Sequence, residues 1–339
     1  MRVLTHYNYE FTNIKDALDH LRSHRRVEDI EVRTGSDDLI FDGDMVSVHG
    51  AEPIRMSGAF LRAFCDRVEP HLPLRFASKL PADLFETNAN RLMHMVKNRG
   101  QRLTVRVETW LNDDGSPVKR TAQSLVTDVC QFIDHEDVLE RALAINGRPI
   151  STKVVLTDEL LRVNAIVTAF DVTDRQGEAE HFQIGYDLVN SETRNTRIVV
   201  ASFLERLVCA NGAVAAIPGF GGSYGKRHVV DPDKALDKVE SILATIDWAG
   251  SNRAFYMRLQ EMIANEVSRE TIWRHRIDAE AIAGPALTRE FWEQPWPETV
   301  TEFDVFNRMT RLARDLAADS KHSLEVVAGK SFLSFLGDI

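Results

Sequence analysis

"LLRVNAIVTAFDV", residues 160–172, and "AEHFQIGYDLVNS", residues 179–191, decide how this chain folds. Both are apolar and rich in β-branched or aromatic residues, the composition strands prefer. The polar, glycine-containing "VTDRQGEAE" between their cores is a loop. Ahead of them, "RLTVRVETWLNDDGSPVKRTAQSLV" (102–126) reads as a hairpin. It puts Leu103, Val105 and Val107 on one face and Asp114-Gly115 in the turn. After them, "TRIVVASFLERLVC" (196–209) is a strand or a short helix, and periodicity does not separate the two. The middle of the chain, from about 101 to 230, is strand-rich.

Helices flank this middle. "NIKDALDHLRSH" carries Ile14, Ala17, Leu18 and Leu21 at helical spacing. Asp42-Gly43 marks a tight hairpin between two short strands. Ser57 caps a helix whose inward stripe is Phe60, Leu61, Phe64, Cys65 and Val68. "ADLFETNANRLMHMVKNRG" is a further helix that Gly100 stops. Beyond residue 230 the period changes to helix. Asp231 caps, Pro232 takes the first helical position, and Ala235, Leu236, Val239, Ile242, Leu243 and Ile246 form one face. Phe255, Leu259, Met262, Ile263 and Val267 do the same in the next helix, and Thr301 opens another with Phe303, Phe306, Met309 and Leu312 inward. The expected fold class is α+β: a central antiparallel or mixed sheet with flanking helices. The expected division is an α+β core over 1–230 and a helical subdomain over 231–339.

A chain of 339 residues has room for two domains at about 100–200 residues each. Hydrophobic residues make up 44% and charged ones 27%, the balance of a globular protein. No apolar run reaches the roughly 18 residues of a membrane helix, so no membrane partner is expected. "MRVLTHYNYEFTNIKD" lacks a continuous apolar segment of the secretory kind, which makes the cytoplasm the expected location. Cys65, Cys130 and Cys209 stand far apart and read as buried thiols. The net charge of −10 argues against a surface coated with positive charge. Yet Arg91, Lys97, Arg99, Arg102 and Arg106 fall within 87–107 with no acid among them. Arg194, Arg197, Arg206, Lys226 and Arg227 fall within 193–228 against the single Glu205. Each run reads as one side of a basic groove or as a solvated face.

Four glycines, Gly219, Gly221, Gly222 and Gly225, precede Lys226-Arg227-His228. Backbone amides of such a loop can cradle phosphate. A Walker A loop would need glycine where Phe220 stands and Ser or Thr where Arg227 stands. The dinucleotide fingerprint would need glycine at Tyr224. Both are excluded, and no cofactor is expected. Cys209 before Asn211-Gly212 reads as a buried thiol or as a nucleophile with His228 as its base. His20 and His24, four apart, lack further ligands at the usual spacing and read as a solvated helix surface; no metal site is expected. Trp110, Phe203, Phe220 and Tyr224 read as core residues or as stacking platforms for unpaired bases.

"GYDLVNSETRNTRIVVASFLERLVCANG", followed by Lys-Arg-His, resembles the phage/plasmid-like family called domain of unknown function 932. Asn190, Ser191, Arg206, Leu207, Val208, Cys209, Asn211, Gly212, Arg227 and His228 carry the likeness. "LPLRFASKLPADLFETNANRLM" and "IDHEDVLERAL" resemble its weaker N-terminal segments. Where the family often has a glycine soon after Asn-Ser, this chain has "ETRNT". The resemblance implies a protein of mobile genetic elements concerned with DNA.

The expectation is therefore a nucleic-acid-binding protein, single-stranded DNA being favoured. Arg206, Asn211, Lys226, Arg227, Tyr224, Arg99 and Arg102 are the candidate binding residues. One alternative is an enzyme acting on an anionic substrate, with His228, Cys209, Asn190 and Ser191 as catalytic candidates and Arg206 holding the anion. The other is a counter-defence module that binds a host protein through its acidic helical tail. Arg206 could equally pair with a buried acid such as Asp187 or Glu205. A homo-oligomer would suit strand binding.

Overall fold

A computed structural model describes residues 8–68, 71–95, 100–128, 130–145, 149–173, 179–193, 196–206, 213–216, 223–226, 231–250, 253–314, 316, 324 and 327. The chain begins with β1 (Asn8–Phe11), α1 (Ile14–His24), β2 (Arg25–Arg33), β3 (Leu39–Asp42), β4 (Met45–Val48), β5 (Ile54–Met56), α2 (Gly58–Val68), α3 (Leu74–Ala77) and α4 (Ala82–Met95). It continues with β6 (Arg102–Leu111), β7 (Pro117–Thr127), α5 (His135–Ile145), β8 (Ser151–Thr157), β9 (Leu161–Thr173), β10 (Ala179–Asn190), β11 (Ile198–Arg206), β12 (Ala213–Ala216) and β13 (Ser223–Lys226). It ends with α6 (Pro232–Gly250), α7 (Arg253–Ala264), α8 (Arg269–Ala283), α9 (Pro285–Trp292) and α10 (Glu302–Arg314).

The strands form two sheets, and the fold is α+β. The first has the order β1-β8-β9-β10-β11-β12, with β13 also paired to β11, and its pairs are antiparallel. The second has the order β2-β6-β7-β5-β4-β3 and is antiparallel except where β5 runs parallel to β7. "TRIVVASFLERLVC" resolves as a strand over Ile198–Arg206: it pairs along β10, and Ile198 and Val200, on alternate positions, bury in the first core. Between Asp42 and its partner Met45, Gly43 and Asp44 form the turn, one residue later than the sequence signal; Gly43 has φ +59°.

Each sheet has its own core. Ile14, Ala17, Leu18 and Leu21 of α1, with Val138, Leu139 and Ala142 of α5, bury against Val154, Leu161, Val163 and Leu188 of the first sheet. Ala235, Leu236, Val239, Met262, Phe303 and Met309 of the C-terminal helices belong to the same core. The boundary expected at residue 230 thus falls inside one core. The second core is built by Phe60, Phe64 and Phe85 of α2 and α4 over Phe41, Met56, Val105 and Val107. Residues 25–127 form this second unit, inserted between α1 and α5 of the first.

Local rules explain most elements. Asn13 caps α1 by accepting the Asp16 N–H at 2.7 Å, and Ser57 caps α2 by accepting from Phe60 at 3.0 Å. Cys65 and Cys130 are buried, and burial with Asp66 nearby pushes the Cys65 thiol up to about 12. β2, "RRVEDIEVR", is a strand that its charged residues conceal. It lies at the sheet edge, where charge guards unpaired backbone.

Candidate functional site

Asn190 and Ser191 stand at and just past the end of β10, where the two units meet, and both are fully buried. Asn190 Nδ2 donates to the Ile133 carbonyl at 2.8 Å and lies 3.0 Å from His135 Nδ1. Ser191 Oγ donates to the Glu159 carbonyl at 2.8 Å. The next residue, Glu192, is the hub. Its Oε1 accepts the His135 N–H at 2.6 Å and Arg25 Nη2 at 2.8 Å, while its Oε2 stands 3.6 Å from Arg106 Nη1. Arg25 also reaches Glu136 at 2.9 Å and Glu108 at 3.3 Å. Arg106 takes Asp29 with two parallel bonds of 2.8 and 2.7 Å, reaches Asp134 at 2.6 Å, and lies 3.7 Å over the Phe132 ring.

This network ties β2 and β6 of the inserted unit to α5 and the β10 end of the first unit. A register shift opposite Arg106 and Val107 brings Gln123 in to donate to Glu108 at 2.7 Å. The electrostatics follow from burial and pairing. Burial raises the Glu192 carboxyl, but Arg25, His135 and Arg106 outweigh it and hold the group well below the usual carboxylate range. Burial keeps the Glu108 carboxyl above its ordinary value, although Arg25 pulls it down. Glu136 is raised for the same reason. Arg25 is raised well above its ordinary value, because Glu192, Glu108 and Glu136 overcome the opposing effect of burial.

Chemically the arrangement is a neutralised interior. Two guanidiniums face Glu108, Glu136, Glu192, Asp29 and Asp134 and are already bonded to them. An anion placed here would meet more carboxylates than free cations, so the geometry gives Asn190 and Ser191 a positioning role at the junction. Sequence reasoning missed Glu192, Arg25, Glu108, His135 and Glu136. The available signals were that Glu192 directly follows Asn190-Ser191 and that "IDHEDVLERAL" holds His135 and Glu136.

The candidate anion-binding residues fall differently. The register pairs Ile198 with Lys226, so Arg197, just before Ile198, and exposed Lys226 end up on neighbouring strands. Val189 pairs with both Arg162 and Val199, which sets Arg162 at the same end of the sheet. Arg162 is held by Asp187 at 2.9 Å on the face opposite the helices, near Asn164 and Lys153. In the 87–107 run, the two described cations on β6 already face acids. Arg106 is 3% exposed and paired, while Arg102 lies on the second sheet, 3.7 Å from Glu31. Tyr224 packs against the first core, and burial raises its hydroxyl; Trp110 and Phe203 are core residues too. Trp110 and Phe203 therefore offer no stacking platform, while Tyr224 is only partly buried.

Arg206 ends β11, with its backbone paired to Phe182 and Ala213; its side chain is outside the described residues. Arg99, Cys209, Asn211, Phe220, Arg227, His228 and the glycines from 219 to 222 also lie outside the described residues. His20 and His24 are not a solvated surface. Their rings stack at 4.7 Å, and His20 sits among Tyr9, Phe11 and Trp110. Burial and the neighbouring His24 lower the His20 pKa. Among the described residues no cluster of His, Cys, Asp and Glu forms a metal site, and no helix is long and apolar enough to cross a membrane. Comparison with family models, curated proteins and solved structures gives no match to this chain.

Proposed function

We propose that this protein binds nucleic acid, single-stranded in preference to duplex, at the end of the first sheet that carries Arg162, Arg197 and Lys226. The observation that carries the reading is the pairing of Ile198 with Lys226. It joins the two halves of the basic 193–228 stretch, which are far apart in sequence. Arg197 and Lys226 have no acidic partner within 4 Å among the described residues. Arg162 stands on β9, with β10 between it and β11, and shares the outer face with Arg197, whereas Lys226 lies on the face of its partner Ile198; a phosphate backbone crossing this end of the sheet, over strand spacings of about 4.8 Å, can reach all three. The net charge of −10 repels a polyanion elsewhere on the surface, so binding is local and strongly salt-dependent. The mobile-element setting rests on the motif resemblance around Asn190 and Arg206.

Fluorescence anisotropy with labelled single-stranded DNA, duplex DNA and RNA, at several salt concentrations, tests this reading. Single strands bind best, and affinity falls steeply as salt rises. The paired substitution Arg197→Ala with Lys226→Ala removes two phosphate contacts. The slope of log affinity against log salt then falls in magnitude by about 1.4, at about 0.7 per contact on a single strand. No binding at low salt, or an unchanged slope in the double variant, removes the proposal.

A further inference from the structure

α8 breaks the pattern of the other C-terminal helices. Its inward face buries His275 and Ala279, yet it also presents Trp273 at 58% and Ile277 at 52% exposure. These two residues, four apart, lie side by side on the outer surface. A large exposed aromatic beside a large exposed aliphatic is a contact surface in search of a cover. What covers it is written along the same stripe. Arg269, Trp273, Ile277 and Glu280 follow at i, i+4, i+8 and i+11, so the stripe runs cation, apolar, apolar, anion. Arg276 flanks it, 5.5 Å over the Trp273 ring and 4.0 Å from Glu280.

Such a stripe is complementary to itself in one orientation. Laid parallel, two copies would set Arg269 against Arg269 and Glu280 against Glu280. Laid antiparallel about a two-fold axis, Arg269 of each copy meets Glu280 of the other. The midpoint between Arg269 and Glu280 falls within one residue of the midpoint between Trp273 and Ile277. The same axis therefore centres the apolar pair and places an ion pair about 8 Å to either side, at 1.5 Å per residue. That is the symmetry of an isologous dimer.

We propose that the outer face of α8 pairs antiparallel with α8 of a second copy of this chain, with Trp273 and Ile277 at the centre and Arg269–Glu280 ion pairs at the ends. One helix of 15 residues buries less than the standard interface of about 1,600 Å², so the dimer is reversible and concentration-dependent.

Sedimentation equilibrium of the full chain over a wide concentration range is the test. The wild type rises from monomer mass towards dimer mass. Trp273→Asp weakens association by about tenfold or more, as loss of a central aromatic anchor does. Arg269→Glu alone and Glu280→Arg alone each face their own like charges and stay monomeric. An equimolar mixture of those two single variants restores the dimer, because each then offers the charge the other lacks. The substituted side chains lie on the outer face, and far-ultraviolet circular dichroism confirms that each variant is folded. A wild type that stays monomeric at every concentration overturns the proposal. So does a dimer indifferent to Trp273→Asp, or a mixture that fails to reassociate.

Discussion

Gly185 occupies a point on β10 where no side chain fits. A Cβ built there would stand 2.1 Å from the Ala165 carbonyl oxygen and 2.6 Å from the Phe203 ring. The pairing of β9 with β10 shifts register at this point, and Phe203 lies across the gap from β11. Gly185→Ala should therefore destabilise the protein by about 3 kcal/mol, the upper range for overpacking, read as a lower urea midpoint with unchanged slope. The sequence shows a glycine inside a strand, but not the ring that makes it obligatory. The same limit applies at the junction. Asn190 and Ser191 are singled out in the sequence as candidate site residues. Glu192 is not, because its partners Arg25 and Arg106 come from strands 167 and 86 residues away in sequence.

Among the elements, capped helices were the most legible. α10 is closed by a reciprocal pair: Thr301 Oγ1 accepts the Asp304 N–H at 3.1 Å, and Asp304 Oδ2 accepts the Thr301 N–H at 2.8 Å. Thr301→Ala should cost about 1 kcal/mol, measurable by thermal or urea unfolding, whereas Thr301→Ser should recover most of it. Asp231 and Pro232 start α6 as their residue types require, with Asp231 Oδ1 accepting the Asp233 N–H at 3.1 Å. Elements whose residues contradict their environment stayed hidden. β2 is mostly charged; its hydrogen bonds to β6 hold it, and only Ile30 and Val32, on alternate positions, reach the second core. α8 has apolar residues on both faces, so no single stripe announces it.

At the scale of the whole molecule, strand content and helix content were readable, but the insertion was not. Local periodicity says nothing about which strands share a sheet. The two units meet through buried charge, and that has a consequence for acid stability. Glu192 has a folded-state pKa below its unfolded value, so its contribution is present above the ordinary carboxylate range. That contribution is lost as pH falls through the folded-state value. Glu108 and Glu136 run the other way: raised in the fold, they cost stability as pH rises from the ordinary value through the folded one. Removing Glu192 leaves Arg25 and Arg106 short of a buried partner. Glu192→Gln is expected to lose about 3–5 kcal/mol at neutral pH. It should also show a flatter decline below pH ~4.5, when urea midpoints are followed against pH.

The insertion also fixes an order in time. β1 pairs with β8, so Tyr9 waits for Leu156 before its strand is complete. Residues 25–127 have by then left the ribosome with every strand of their own sheet. At roughly 5–20 residues per second, the amphipathic α1 spends roughly 7–30 s as a nascent segment without its final partner. The inserted unit, closed on its own core, is finished first, and the body that brackets it in space is assembled around it afterwards.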